Sequence, residues 1–92
     1  MTYQSETAIL RRDRVEAETG YSRSTIYLRI AQGLWTKPVL IGPRAVGWPA
    51  VEVAALNAAR IAGKADPEIR SLVSALMAAR KGAGPDVQGI AS

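Results

Sequence analysis

The segment Thr19-Gly20-Tyr21-Ser22-Arg23-Ser24-Thr25-Ile26-Tyr27 constrains this chain more tightly than any other part of it. Gly20 can take the left-handed conformation that ends one helix, and the Ser22 hydroxyl can cap the free amides of the next. Two short helices therefore meet at a corner, as in a helix-turn-helix. Arg12 to Thr19 predicts the first helix, with Leu10, Val15 and Ala17 as an apolar edge among Arg14, Glu16 and Glu18. The second is expected from Arg23 to about Gln32, with Gly33 as its stop. On it Ile26 and Ile30 share the core-facing side, which turns Ser24 and Leu28 outward and leaves Arg23 and Tyr27 on the flank.

Charge placement says what the corner would face. The chain carries 12 Lys and Arg against 8 Asp and Glu, with no His and a net charge of +4. No Asp or Glu occurs from Thr19 to Val51, and Arg23, Arg29, Lys37 and Arg44 within that span account for the whole surplus. A polyanion-binding face concentrates its charge in this way. The first turn of the second helix of a helix-turn-helix is also where base edges are reached. Arg23 and Ser24 are accordingly read as DNA contacts, and Ser22 first as a cap. Tyr27 has two readings, a hydrogen bond to a phosphate or padding between helices, and Thr25 is either a contact or a surface residue.

After Gly33 the pattern changes. Lys37-Pro38-Val39-Leu40-Ile41 is a β-branched-rich run, Gly42-Pro43-Arg44 a turn, and Ala45-Val46-Gly47-Trp48 a second short run. A hairpin following a DNA-facing helix is a wing, and this one would carry Arg44 toward a phosphate or a minor groove, with Lys37 at its base. Trp35 and Trp48 flank the hairpin and are expected to pack it onto the helices rather than to stack on bases.

Leu10-Arg11-Arg12, Thr19-Gly20, Ser22-Arg23-Ser24-Thr25-Ile26-Tyr27, Ile30-Ala31-Gln32-Gly33, Lys37-Pro38-Val39 and Gly42-Pro43-Arg44-Ala45-Val46-Gly47-Trp48 occur in this order. Together they resemble the AlpA family of phage and mobile-element regulators, which is similar to excisionases and to the DNA-binding part of MerR-type proteins. The resemblance spans about the first sixty residues. It implies a small winged helix that binds duplex DNA as a transcription regulator, as a recombination directionality factor assisting an integrase, or as both. Many relatives carry Arg-Leu after the Tyr, whereas this chain has Leu28-Arg29, which sets an apolar side chain toward the groove. Leu28 would then meet a thymine methyl and Arg29 a phosphate.

A chain of 92 residues is expected to form one core. Cys and His are both absent, so zinc sites, thiol chemistry and His-assisted nucleophiles lack their usual groups. Glu16 and Glu18 face different ways on a helix, Asp66 and Glu68 look like helix-start residues, and no phosphate-binding glycine loop occurs. Neither an enzyme nor a cofactor is expected. Without a signal peptide, a spanning apolar run or Cys, the expected location is cytoplasmic, on the nucleoid, with no membrane partner.

The C-terminal half is read separately. Pro49 suits the first turn of a third helix reaching about Ala62, with Val53 and Leu56 on one face. Asp66-Pro67-Glu68 starts a fourth with Asp66 as cap, and Ile69, Leu72, Val73, Leu76 and Met77 form an apolar stripe that ends near Lys81 and Gly82. Two readings of the stripe stay open: packing on the same core, or docking on another copy or partner. The expected divisions are 1–62 for the winged helix-turn-helix, 63–82 for the amphipathic helix and 83–92 for a disordered tail. The fold class is mainly α with a small β-hairpin. The function expected is sequence-specific duplex binding by several cooperating copies. The alternative is a protein-interaction adaptor or antitoxin-like module acting through the last helix.

Overall fold

The computed structural model of the chain describes residues 7–82, so the expectation for the tail at 83–92 lies outside the described residues. The elements run β1 (Ile9–Arg11), α1 (Arg12–Thr19), α2 (Arg23–Ala31), β2 (Val39–Gly42), β3 (Ala45–Pro49), α3 (Ala50–Ile61) and α4 (Asp66–Ala79), followed by a 3-10 turn at Arg80–Gly82. The protein is mainly helical with a small antiparallel sheet in the order β1-β3-β2, an architecture compatible with a winged helix.

The α1–α2 corner forms through local chemistry. Gly20 sits at φ 78°, and its N–H donates to the Glu16 carbonyl to close α1. Thr19 Oγ1 donates to the Val15 carbonyl at 2.7 Å and accepts the Tyr21 N–H at 3.1 Å. Ser22 Oγ accepts the Thr25 N–H at 3.2 Å and so caps α2. Two distant side chains then take up carbonyls that helix ends leave without partners. Asn57 on α3 donates to the Glu18 carbonyl at 3.1 Å, and Arg70 on α4 donates to the Gln32 carbonyl at 2.9 Å.

The sequence suggests that Leu10 belongs to the buried edge of α1, and the structure places it elsewhere. It lies in β1 opposite Trp48, and β1 is a third strand lying beyond the expected hairpin. Ala17 is exposed, which leaves Val15 as the one buried residue of α1. The β1–β3 contact is close. A Cβ on Gly47 would stand 2.5 Å from Ile9 Cγ2 and 2.9 Å from the Leu10 carbonyl oxygen, so only glycine fits. In the hairpin, Gly42 pairs with Ala45 across Pro43-Arg44, and the register shifts between Leu40 and Gly42. Neither loop residue has a positive φ, so the turn is not of the primed kind that matches strand twist, and the bulge takes up the mismatch.

Trp35 and Trp48 are 2% and 0% exposed, at the centre of the core. The indole N–H of Trp48 donates to the Thr36 carbonyl at 2.8 Å, which ties β3 to the segment entering the hairpin. Two helix starts lie one residue away from expectation. Pro49 remains in the sheet and precedes α3, whose first amide, on Ala50, bonds the Ala8 carbonyl. Ala65 rather than Asp66 flanks α4, and Glu68 reaches back to accept the Ala65 N–H at 3.1 Å.

The stripe on α4 packs within the chain. Ile69 and Val73 are buried in the same core as the tryptophans, and Leu72, Leu76 and Met77 lie half-buried against it. A buried carboxylate anchors the end of this helix. Arg80 grips Glu52, on α3, through Nε at 2.8 Å and a terminal nitrogen at 2.7 Å. The same guanidinium donates to the Lys37 carbonyl at 2.7 Å, at the entrance of the hairpin.

Candidate nucleic-acid interface

Pairing sets three of the basic residues apart from the rest. Along α1, Arg12 is bound to Glu16 at 3.2 Å and Arg14 to Glu18 at 2.9 Å, while Arg80 holds Glu52. These carboxylates are therefore spent, and so are their arginines. Arg11, Arg23, Lys37 and Arg44 are exposed and pair with no carboxylate among the described residues.

Helix α2 presents Arg23, Ser24 and Leu28 to solvent, with Leu28 55% exposed. No acidic residue occupies its first turn. The first turn is the positive end of the helix dipole, where a carboxylate is favoured and a cation costs about 0.3–1 kcal/mol. Arg23 therefore does nothing for the helix that an acid would not do better, and its charge adds to the dipole in attracting an anion.

Other α2 residues have local duties. Besides capping, Ser22 Oγ donates to Thr25 Oγ1 at 3.0 Å, so both hydroxyls are engaged with each other. Tyr27 lays its ring edge-on against Trp48, with centroids 6.3 Å apart. Its phenol has no partner among the described residues, and the residue is 38% exposed. Padding and a free hydroxyl thus coexist in one side chain.

Arg29 does not join this group. It lies three residues beyond the core residue Ile26 and on the opposite flank from Tyr27. It is half-buried, with its guanidinium 5.7 Å from the Tyr21 ring centroid. Sequence order set it beside Leu28, but helical rotation carries it inward.

The hairpin turn brings Arg44 beside Arg11 and Arg12, which line one shallow depression with Asp13, Ala45 and Val46. Arg11 follows from the pairing of β1 with β3, which no local sequence pattern announces. Lys37 lies exposed at the hairpin's other end.

Among the described residues, no group of His, Cys, Asp and Glu could hold a metal ion, and no helix is long and apolar enough to cross a membrane. A family model matches residues 8–60, that of the prophage CP4-57 regulatory protein (AlpA). The matched span runs from just before β1 almost to the end of α3. No curated protein and no solved structure gives a significant match.

Proposed function

The chain belongs to the AlpA family of prophage regulatory proteins, and from that premise we propose that it regulates by binding specific duplex DNA. Helix α2 enters the major groove with Arg23, Ser24 and Leu28 toward the base edges, while Tyr27, Lys37 and Arg44 meet the backbone beside it. Ser22 and Thr25 act by capping the helix that is inserted. The observation that carries this reading is that Arg23 on α2 and Arg44 at the hairpin turn stand exposed without a carboxylate partner, whereas Arg12, Arg14 and Arg80 are each bound to one.

The regulatory outcome is occupancy of DNA, together with bending, by several copies on repeated sites in the cytoplasm, on the nucleoid. At a promoter such an array controls transcription. At an attachment site it shapes DNA for an integrase to excise the element, as a directionality factor does. Burial of Ile69 and Val73 in the chain's own core counts against an adaptor or antitoxin-like module working through the α4 stripe. Self-association then falls to surfaces that come together on DNA, including the exposed parts of Leu72, Leu76 and Met77.

Fluorescence anisotropy tests the reading, with labelled duplexes from the DNA flanking the gene and from an integrase attachment site, in excess nonspecific competitor. Competitor-resistant binding with a steep isotherm is expected, and the preferred duplex assigns promoter control or excision. Equal, competitor-sensitive binding to both duplexes would overturn sequence-specific recognition.

A further inference from the structure

The flank of α2 opposite the hairpin carries a second basic cluster, in which Arg29 meets residues of α3 and the α3–α4 connection. Arg60, from α3, lies over the Tyr21 ring at 4.8 Å from its centroid, and Arg29, from α2, approaches the same ring at 5.7 Å. With Lys64, in the α3–α4 connection, they line a depression of about 170 Å³ that also includes Leu34, Asp66 and Ile69. Three cations thus face one carboxylate. None of the four charged groups forms an ion pair among the described residues. The Nε of Arg29 is buried without a hydrogen-bond partner. A buried charged donor without an acceptor is costly, and two guanidinium groups sharing one ring repel each other. Both costs fall if an anion occupies the depression.

We propose that Arg29, Arg60 and Lys64, gathered round Tyr21, seat a phosphate of the DNA backbone, on the strand across the groove from the one the hairpin meets. A helix about 10–12 Å across fills a major groove about 12 Å wide, so both phosphate walls lie within reach of its flanks. Tyr27 and the hairpin stand on one flank of α2. Tyr21 sits directly before its cap on the other, and a helical side chain such as that of Arg29 leans back toward it. The aromatic ring holds the two guanidinium groups in place before the phosphate arrives. The seat rests on the duplex-binding reading above and adds to it a contact made by α3 and the α3–α4 connection.

The test compares wild type, Lys64→Gln, Arg60→Gln/Lys64→Gln and Arg44→Gln on the preferred duplex over a range of salt, with ethylation interference to mark the phosphates in use. Circular dichroism checks that each is folded, and the exposed Lys64 serves as the variant least able to disturb packing. The expected result is that the double variant lowers the slope of log K against log salt by about 0.9, the value of one phosphate contact. It should also lose interference at a phosphate on the strand opposite the one affected by Arg44→Gln, with Lys64→Gln changed in the same direction. An unchanged slope and unchanged interference in the folded variants, while Arg44→Gln still weakens binding, would overturn the seat and leave the duplex reading standing. Failure of wild type to bind any duplex would overturn that reading instead. Protection of wild type but not the double variant from thermal unfolding by inorganic phosphate, with no change in slope, would assign the depression to a free anion and overturn the DNA assignment.

Discussion

Single residues divide here into those that shape the corner and those that face outward from it. Ser22 belongs to the first group, because its hydroxyl both caps α2 and bonds Thr25. Ser22→Ala is expected to cost about 1 kcal/mol of stability, the ordinary value of a cap, measurable as a lowered midpoint in urea. Gly47 belongs there too. A methyl group at that position would push against Ile9 and the Leu10 carbonyl, so Gly47→Ala should lose about 1–3 kcal/mol through overpacking. Amide hydrogen exchange should locate the change at the β1–β3 pairing, and unaltered exchange there would contradict the close contact. Arg23 stands in the second group, exposed in a helix turn whose dipole disfavours it.

Among the elements, the ones legible in the sequence were those written by local chemistry. The α1–α2 corner follows from Gly20 and Ser22, the hairpin turn from Pro43, and the α4 stripe from its spacing. Strand β1 was not legible, because three residues carry no periodicity and its partner Trp48 lies far along the chain. The pairing of Glu52 with Arg80 was equally hidden, since a Glu in the first turn of a helix reads as a dipole partner rather than a buried ion. The same limit explains the site. Arg23 and Arg44 stand out by charge placement and the separation of Arg29 from Leu28 follows from helical rotation, whereas the approach of Arg11 to Arg44 is a product of tertiary packing. The Glu52–Arg80 pair joins α3 and α4 to the hairpin entrance at Lys37. Arg80→Ala should therefore destabilise the fold by about 3–5 kcal/mol, because it leaves a buried carboxylate uncompensated. Glu52→Leu/Arg80→Leu should recover most of that loss in thermal melts. A mild effect of Arg80→Ala would mean that the pair is no anchor.

As a whole, the described part of the molecule measures 38 × 31 × 28 Å. One copy thus covers about one turn of duplex, roughly 34–36 Å or 10 base pairs. Few bases lie under a single α2, so a specific response from so small a reader calls for copies on adjoining turns, and binding sites repeated at about that spacing are expected. Footprints that grow in steps of about 10 base pairs as protein is added would meet this expectation, and one fixed short footprint would not.

In the proposed function one face of the protein reads DNA, with α2 supplying base contacts and the hairpin supplying a phosphate contact. The most direct test is to measure affinity for the preferred duplex and for a scrambled one, across salt concentrations, with Arg23→Ala and Arg44→Ala. Arg23→Ala is predicted to reduce the preference between duplexes by about 1–3 kcal/mol. Arg44→Ala is predicted to weaken both duplexes alike and to lower the salt slope by about 0.9. If both variants keep the wild-type preference and the wild-type slope, this face is not the one that meets DNA.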